Sequence, residues 1–210
     1  MKRSAGVLMP ISSLPSKYGI GTLGKGARDF IDFLEKSGQT YWQVLPIGPT
    51  GYGDSPYQSF SSNAGNPYFI DLDDLCDEGY LEKEEYVNEN YGTDVNCVDY
   101  SQIYNTRFTV LRKAVERLSA VQPEDYLSFL RDNAYWLNDY ALFMAEKDDH
   151  KGQAYTTWEE DIRKHDTKTL ENERVRLQKN VEYYLGLQYF FFHQWKKMRE
   201  YGRKHGVYLI

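Results

Sequence analysis

The chain has little cysteine. Cys76 and Cys97 are the only two in 210 residues, and they stand in no C-x-x-C or other ligand spacing. The expectation is two reduced thiols in a cytoplasmic protein. No apolar run approaches the ~18 residues of a membrane span, so no membrane partner is expected. The start, MKRSAGVLMPISS, has a basic end, but its apolar stretch, Ala5 to Met9, is too short for a signal peptide and Pro10 ends it. An excess of positive charge is also missing. The net charge of −6 argues against phosphate-backbone binding, so no nucleic-acid partner is expected. Histidine is scarce. His150, His165 and His205 lie in polar segments without metal-ligand spacing, and His193, inside FFFHQWKKM, reads as a packed or half-exposed helix residue. No Ser-His-Asp, Cys-His or zinc arrangement is apparent. Neither metal nor cofactor is required by any pattern in the chain.

What is abundant is aromatic. Tyr, Phe and Trp make up 16% of the residues, 19 of them tyrosine, which excludes a disordered chain and suffices for a core at this length. Ala5–Met9 reads as a short buried strand. Gly26–Lys36 reads as a helix, with Ala27, Phe30, Ile31 and Leu34 at helical spacing and Gly38 past its end. Tyr41–Leu45 reads as a second apolar strand. Strand, helix, strand at this length is a βαβ unit with parallel strands. The middle of the chain is helical in pattern: Leu81–Asn90, Ser101–Leu118, Glu124–Arg131 behind Pro123, Ala134–Lys147, and a long stretch from about Leu170 to Tyr201. Phe190, Phe191, Phe192, Trp195 and Met198 read as a core stripe. HGVYLI, at the end, reads as a third buried strand. A terminus seldom falls inside such a strand, so the chain is expected to be the front of a longer protein.

Right-handed crossovers bring every loop that follows a strand to one edge of the sheet, where parallel α/β sheets bind ligands. Both such loops, Pro10–Gly24 and Pro46–Leu72, exceed the usual ~2–6 residues. The first contains GIGTLGKG, Gly19–Gly26, which matches parts of two phosphate-binding patterns. SSLPSKY separates it from the strand, no acid closes strand two, and Gly26 stands where a P-loop has a hydroxyl. The glycines are expected to shape a turn into the helix. The second loop holds Tyr52, Gly53, Asp54, Ser55, Pro56, Tyr57 and Gln58. A tyrosine ring can cover the C–H face of a sugar while a serine, a carboxylate and an amide bond its hydroxyl rim. By composition this fits carbohydrate, and equally a Gly/Pro-rich turn whose tyrosines pack on the sheet's rim.

The stretches SAGVLMPISSLPSKYGIGTLGKGARDFIDFL and YWQVLPIGPTGYGDSPYQSFSSNAGNPYFIDL, with WLNDYALFMA and LQYFFFHQWKKMREYGRKHGVYLI later on, resemble the 4-α-glucanotransferases, or amylomaltases, along the whole chain. The resemblance implies an α/β fold: the first strands of a (β/α)8 TIM barrel, incomplete here, with a large, mostly helical insertion between strands 2 and 3. The implied division is residues 1–72 for the first βα units and the substrate loop, 73–180 for the insertion and 181–210 for a helix and the third strand. The implied reaction is transfer of an α-1,4-glucan segment between maltodextrins by a retaining double displacement. The family's catalytic carboxylates lie on later strands, so none of the acids here is expected to be catalytic and the 210 residues alone are expected to be inactive. The resemblance assigns the sugar platform to Tyr57, with Ser55 and Gln58 as polar neighbours, Asp54 as a brace of the loop and Tyr52 as an outer glucan contact. A non-catalytic carbohydrate-binding protein and a related α-glucan hydrolase are the alternatives.

Overall fold

A computed structural model describes residues 3–51, 53–94 and 96–210. They form two compact units: residues 1–114 together with 190–210, and residues 115–189.

The first unit is built on a three-stranded parallel sheet in the order β1 (Gly6–Leu8), β2 (Tyr41–Gln43), β3 (Tyr208–Leu209). Val7 pairs with Trp42, and Trp42 with Leu209. Paired residues in a parallel sheet share a face, so Val7, Trp42 and Leu209 point one way. That face is covered. Trp42 is fully buried, its ring meets Phe30 edge-on at 4.9 Å, and its Nε1 donates to the Met9 carbonyl. Phe30 lies on α1 (Lys25–Lys36), which also buries Ala27, Ile31 and Leu34, as the spacing predicts. The alternate residues face the other way, and Leu8, Tyr208 and Ile210 are 53%, 48% and 63% exposed. The expectation that strands one and three are buried is therefore half right: helices cover one face of the sheet only.

After β2 come a long loop and α2 (Leu72–Asp77). Asp71 caps α2 by accepting the Asp74 amide, and its carboxylate also accepts the Thr22 hydroxyl. Leu81–Asn90 is not a helix; it contains one short 3-10 turn, Lys83–Glu85. Its shape is set by two buried tyrosines, with the Tyr86 hydroxyl donating to Asp73 and the Tyr91 hydroxyl to the Tyr86 carbonyl. Next comes α3 (Tyr100–Val121). The two helices expected over 124–147 are one, α4 (Glu124–Asp149). The Asp132-Asn133 pair does not break it, because Asn133 donates back to the Phe129 carbonyl and accepts from Trp136 Nε1. A short helix, α5 (Glu160–Arg163), leads to α6 (Thr167–Arg176) and α7 (Gln178–Lys204), which are separate helices divided at Leu177. Of the expected core stripe on α7, Phe190, Phe191 and Met198 are buried, while Phe192 and Trp195 are only half-buried.

The second unit contains one buried acid with unusual surroundings. Glu146, on α4, is 1% exposed, and neither carboxylate oxygen accepts a hydrogen bond; His150 Nδ1 and Arg176 Nη2 stand off at 3.6 and 3.8 Å. Asp149 and His150 offer ligand atoms within 4.8 Å of it. The positive charge among these acids comes from Arg176, which bonds Asp149 and Glu173, and from His150, whose ring nitrogens lie 2.8 Å from the Glu146 carbonyl and 2.8 Å from Glu159. Two acceptors on one imidazole favour the doubly protonated ring. Burial lowers the His150 pKa, but the bonds to Glu159 and to Glu146 outweigh it and the net shift is upward. Burial, reinforced by Glu173, pushes Glu146 up to about 7.

Both groups thus hold protons more tightly when folded than when unfolded. Their stabilisation is complete below the ordinary pKa values and is lost as pH rises through the folded ones. Amide protection at the end of α4 is expected to fall between pH 5.5 and 8. Glu146→Gln, a neutral isostere, should flatten that dependence. Hydrogen-exchange protection factors at the two pH values test this, and protection that rises with pH would contradict it.

Candidate functional site at the carboxyl edge of the sheet

The two loops that leave the carboxyl ends of β1 and β2 lie together. The Leu23 amide donates to the Phe69 carbonyl at 2.9 Å, and Thr22 bonds Asp71 at 2.5 Å. Gly24 allows this approach, and Gly21 lets the first loop fold tightly on itself. A β-carbon on Gly21 would lie 1.9 Å from the Ile11 carbonyl oxygen, and one on Gly24 would lie 2.1 Å from the Asp71 carboxyl. Gly21 and Gly24 therefore serve close packing, which the sequence reading did not anticipate, while Gly19, with φ +79°, serves the expected turn.

Within the second loop, Thr50 and Ser59 pair in an isolated antiparallel bridge, and the Gly51 amide donates to the Gln58 carbonyl at 3.0 Å. The chain between them turns back at Gly53 and Asp54, whose φ angles are +89° and +54°. Left-handed backbone costs little at glycine and is tolerated by aspartate. Tyr52 lies outside the described residues. Two further bonds tighten the turn: the Asp54 amide donates to the Gly51 carbonyl, and the Gln58 amide to the Ser55 carbonyl. Ser55 Oγ accepts from the Tyr57 amide at 3.4 Å.

This turn stands over a small recess between the loops. Ile11 and Ser12 line it from the first loop, Thr50, Asp54 and Phe69 from the second, and Tyr100 from the start of α3. Asp54 is half-buried in its wall. Burial raises its pKa, and the Thr50 hydroxyl, 3.4 Å away, partly offsets that. Tyr57, Ser55 and Gln58 are not among the lining residues. Tyr57 stands on the crest of the turn with 73% of its surface exposed. An aromatic ring so free of protein neighbours has a whole face to offer a ligand.

Of the expected site residues, then, Asp54 faces the recess, Ser55 holds the turn, and Tyr57 and Gln58 are displayed above it. Sequence reasoning missed Ser12, Thr50 and Tyr100. Ser12 and Thr50 were reachable, because both lie in loops placed at the carboxyl edge by topology. Tyr100 was not: it reaches the recess only through the path of α3, which no local pattern encodes.

Three parallel strands with a loop-built recess at their carboxyl edge define an α/β protein of the kind that places ligands at its strand ends. The profile of the family described as 4-alpha-glucanotransferase matches residues 9–210. The chain is 46% identical over 202 residues to a 4-alpha-glucanotransferase of Clostridium butyricum, covering 96% of this chain and 42% of that protein. It is 45% identical over 211 residues to one of Streptococcus pneumoniae, covering all of this chain and 42% of that one. Among solved structures, an amylomaltase from Streptococcus agalactiae in complex with acarbose superimposes with a TM-score of 0.94 at 39% identity, over 99% of this chain and 42% of the other. The chain belongs to the 4-alpha-glucanotransferase family. It spans about 42% of the length of these relatives.

Proposed function

We propose that this chain supplies part of the glucan-binding cleft of a 4-α-glucanotransferase, which transfers α-1,4-glucan segments between maltodextrins. The observation that carries the reading is the family match across residues 9–210, a span that includes the whole turn over the recess. On this reading β1, β2 and β3 are the first strands of a (β/α)8 barrel, and the helical segment between β2 and β3 is an insertion into it. Residues 1–72 carry the substrate loop, 73–180 the insertion, and 181–210 the approach to strand three. Two free cysteines, Cys76 and Cys97, suit a cytoplasmic enzyme.

Tyr57 covers the apolar face of a glucosyl ring near the bond to be cleaved, and Ser55 and Gln58 meet its hydroxyls. Asp54 braces the turn from within the recess, and Tyr52 contacts the glucan further out. The covalent chemistry belongs to carboxyl groups outside these 210 residues. One attacks the anomeric carbon as the glycosidic oxygen departs with a proton from a second. The second then takes the proton of an acceptor 4-hydroxyl, which displaces the first, and two inversions retain the configuration.

A protein of the relatives' full length carrying this sequence is expected to convert maltotriose into glucose and dextrins longer than maltotriose. The 210 residues alone should leave maltotriose unchanged. Glucose and maltose as the only products of the longer protein would mean that water is the acceptor, and would overturn the transfer reading.

A further inference from the structure

Arg107 is completely buried on α3, yet among the described residues it has no carboxylate within ion-pair distance. Its Nη1 donates to the Tyr18 carbonyl at 3.2 Å and its Nη2 to the Ile70 carbonyl at 2.5 Å, while Nε has no partner. Burial pulls its pKa down to about 10, so it remains a cation at neutral pH. A buried guanidinium held by two carbonyl dipoles is a costly way to fix a helix. An apolar side chain of similar volume would pack α3 with no desolvation cost.

What an apolar residue could not do is join the two carboxyl-edge loops. Tyr18 lies in the loop after β1 and Ile70 in the loop after β2. Ile70 directly follows Phe69, which lines the recess. Tyr100, which also lines it, precedes Arg107 by seven residues on the same helix. Seven residues are two turns, so both side chains leave the same face of α3, about 10 Å apart along its axis. The guanidinium is planar and forked, so it sets distance and rotation together. Other bonds tie loop to loop; Arg107 adds a single rigid group that bonds a backbone carbonyl in each.

We propose that Arg107 is a positioning residue for the glucan cleft: by holding the Tyr18 and Ile70 carbonyls it fixes the two carboxyl-edge loops against α3, and with them the recess that Phe69 and Tyr100 line. This rests on the cleft assignment above. A shift of about 1 Å in groups that position a substrate can cost up to about 100-fold in rate. The expected effect here is smaller, since the recess binds and does not react.

The test uses the full-length enzyme with maltodextrin as substrate. Arg107→Met and Arg107→Lys are compared with Leu111→Ala, which removes a fully buried side chain one turn further along α3 and destabilises through packing alone. The Met variant is expected to raise KM by about tenfold with kcat within about twofold of wild type, an effect on binding more than on chemistry. The Lys variant, with a point charge that cannot hold both carbonyls in a fixed fork, should be intermediate. Leu111→Ala should lower Tm without raising KM. The proposal is overturned if Leu111→Ala raises KM as much, if the Arg107 variants fold with unchanged KM, or if neither folds, which would make the residue structural. Tyr57→Ala in the same assay separates the two ideas. If it impairs the enzyme while the Arg107 variants do not, only this proposal falls. If Tyr57→Ala changes nothing, the cleft assignment falls and this proposal with it.

Discussion

On the proposed cleft reading, Tyr57→Ala in the full-length protein is expected to lower kcat/KM for maltodextrins by about 10- to 100-fold and to leave Tm unchanged. The size follows from the ring's situation. Covering an aromatic face is worth ~1.5–3 kcal/mol, and each ~1.4 kcal/mol is a factor of ten. In the free protein that face is exposed, with 73% of the residue in solvent, so its removal costs the fold within about 0.5 kcal/mol. Tyr57→Phe keeps the ring and should retain most of the activity. Steady-state kinetics with a melting curve for each variant checks both halves. A drop in Tm to match the drop in activity would mean that the ring packs on protein and not on sugar.

The second large effect concerns the glycine run in the first loop. A β-carbon on Gly21 would sit 1.9 Å from the Ile11 carbonyl oxygen and 2.8 Å from the Leu14 amide nitrogen. Both are backbone atoms, so no rotamer change relieves the clash. Gly21→Ala is expected to destabilise by about 3 kcal/mol, at the upper end of overpacking, and to lower Tm by about 6–12 °C for a domain of this size. Gly38 is the contrast. It has a φ of +68° but open space around it, so Gly38→Ala pays only the left-handed backbone, about 1 kcal/mol. Equal Tm values for the two alanine variants would refute the close-approach account of the run.

These two loops show what a sequence makes readable. The order of β1, α1 and β2 follows from the spacing of Ala27, Ile31 and Leu34 between two apolar runs. Once the unit is a right-handed βαβ, both loops go to one edge. The partial match of GIGTLGKG to phosphate-binding patterns could be discounted from Gly26 alone, while the atoms its glycines approach, in Ile11 of the same loop and in the distant Asp71, appear only in three dimensions. Helix limits were less legible. The residues between Arg131 and Ala134 look like a stop until Asn133 is seen bonding along its own helix. Leu177, where α6 ends, carries no glycine or proline to mark it. Segment 81–90 has helical composition, but its path follows buried tyrosines, Tyr86 bonded to Asp73 and Tyr91 bonded back to Tyr86. In the site, the turn over the recess was legible because its residue types are unusual. Tyr100 and Arg107 were not, since both stand on a helix that meets the loops only through the fold.

The central claim is that the 48–72 loop contacts the glucan. The most direct measurement is amide hydrogen exchange of the full-length protein with and without a maltodextrin. The account predicts slowed exchange between Gly48 and Leu72 and unchanged exchange in α4 to α6. Unchanged exchange in that loop, with protection confined to other parts of the chain, would contradict it.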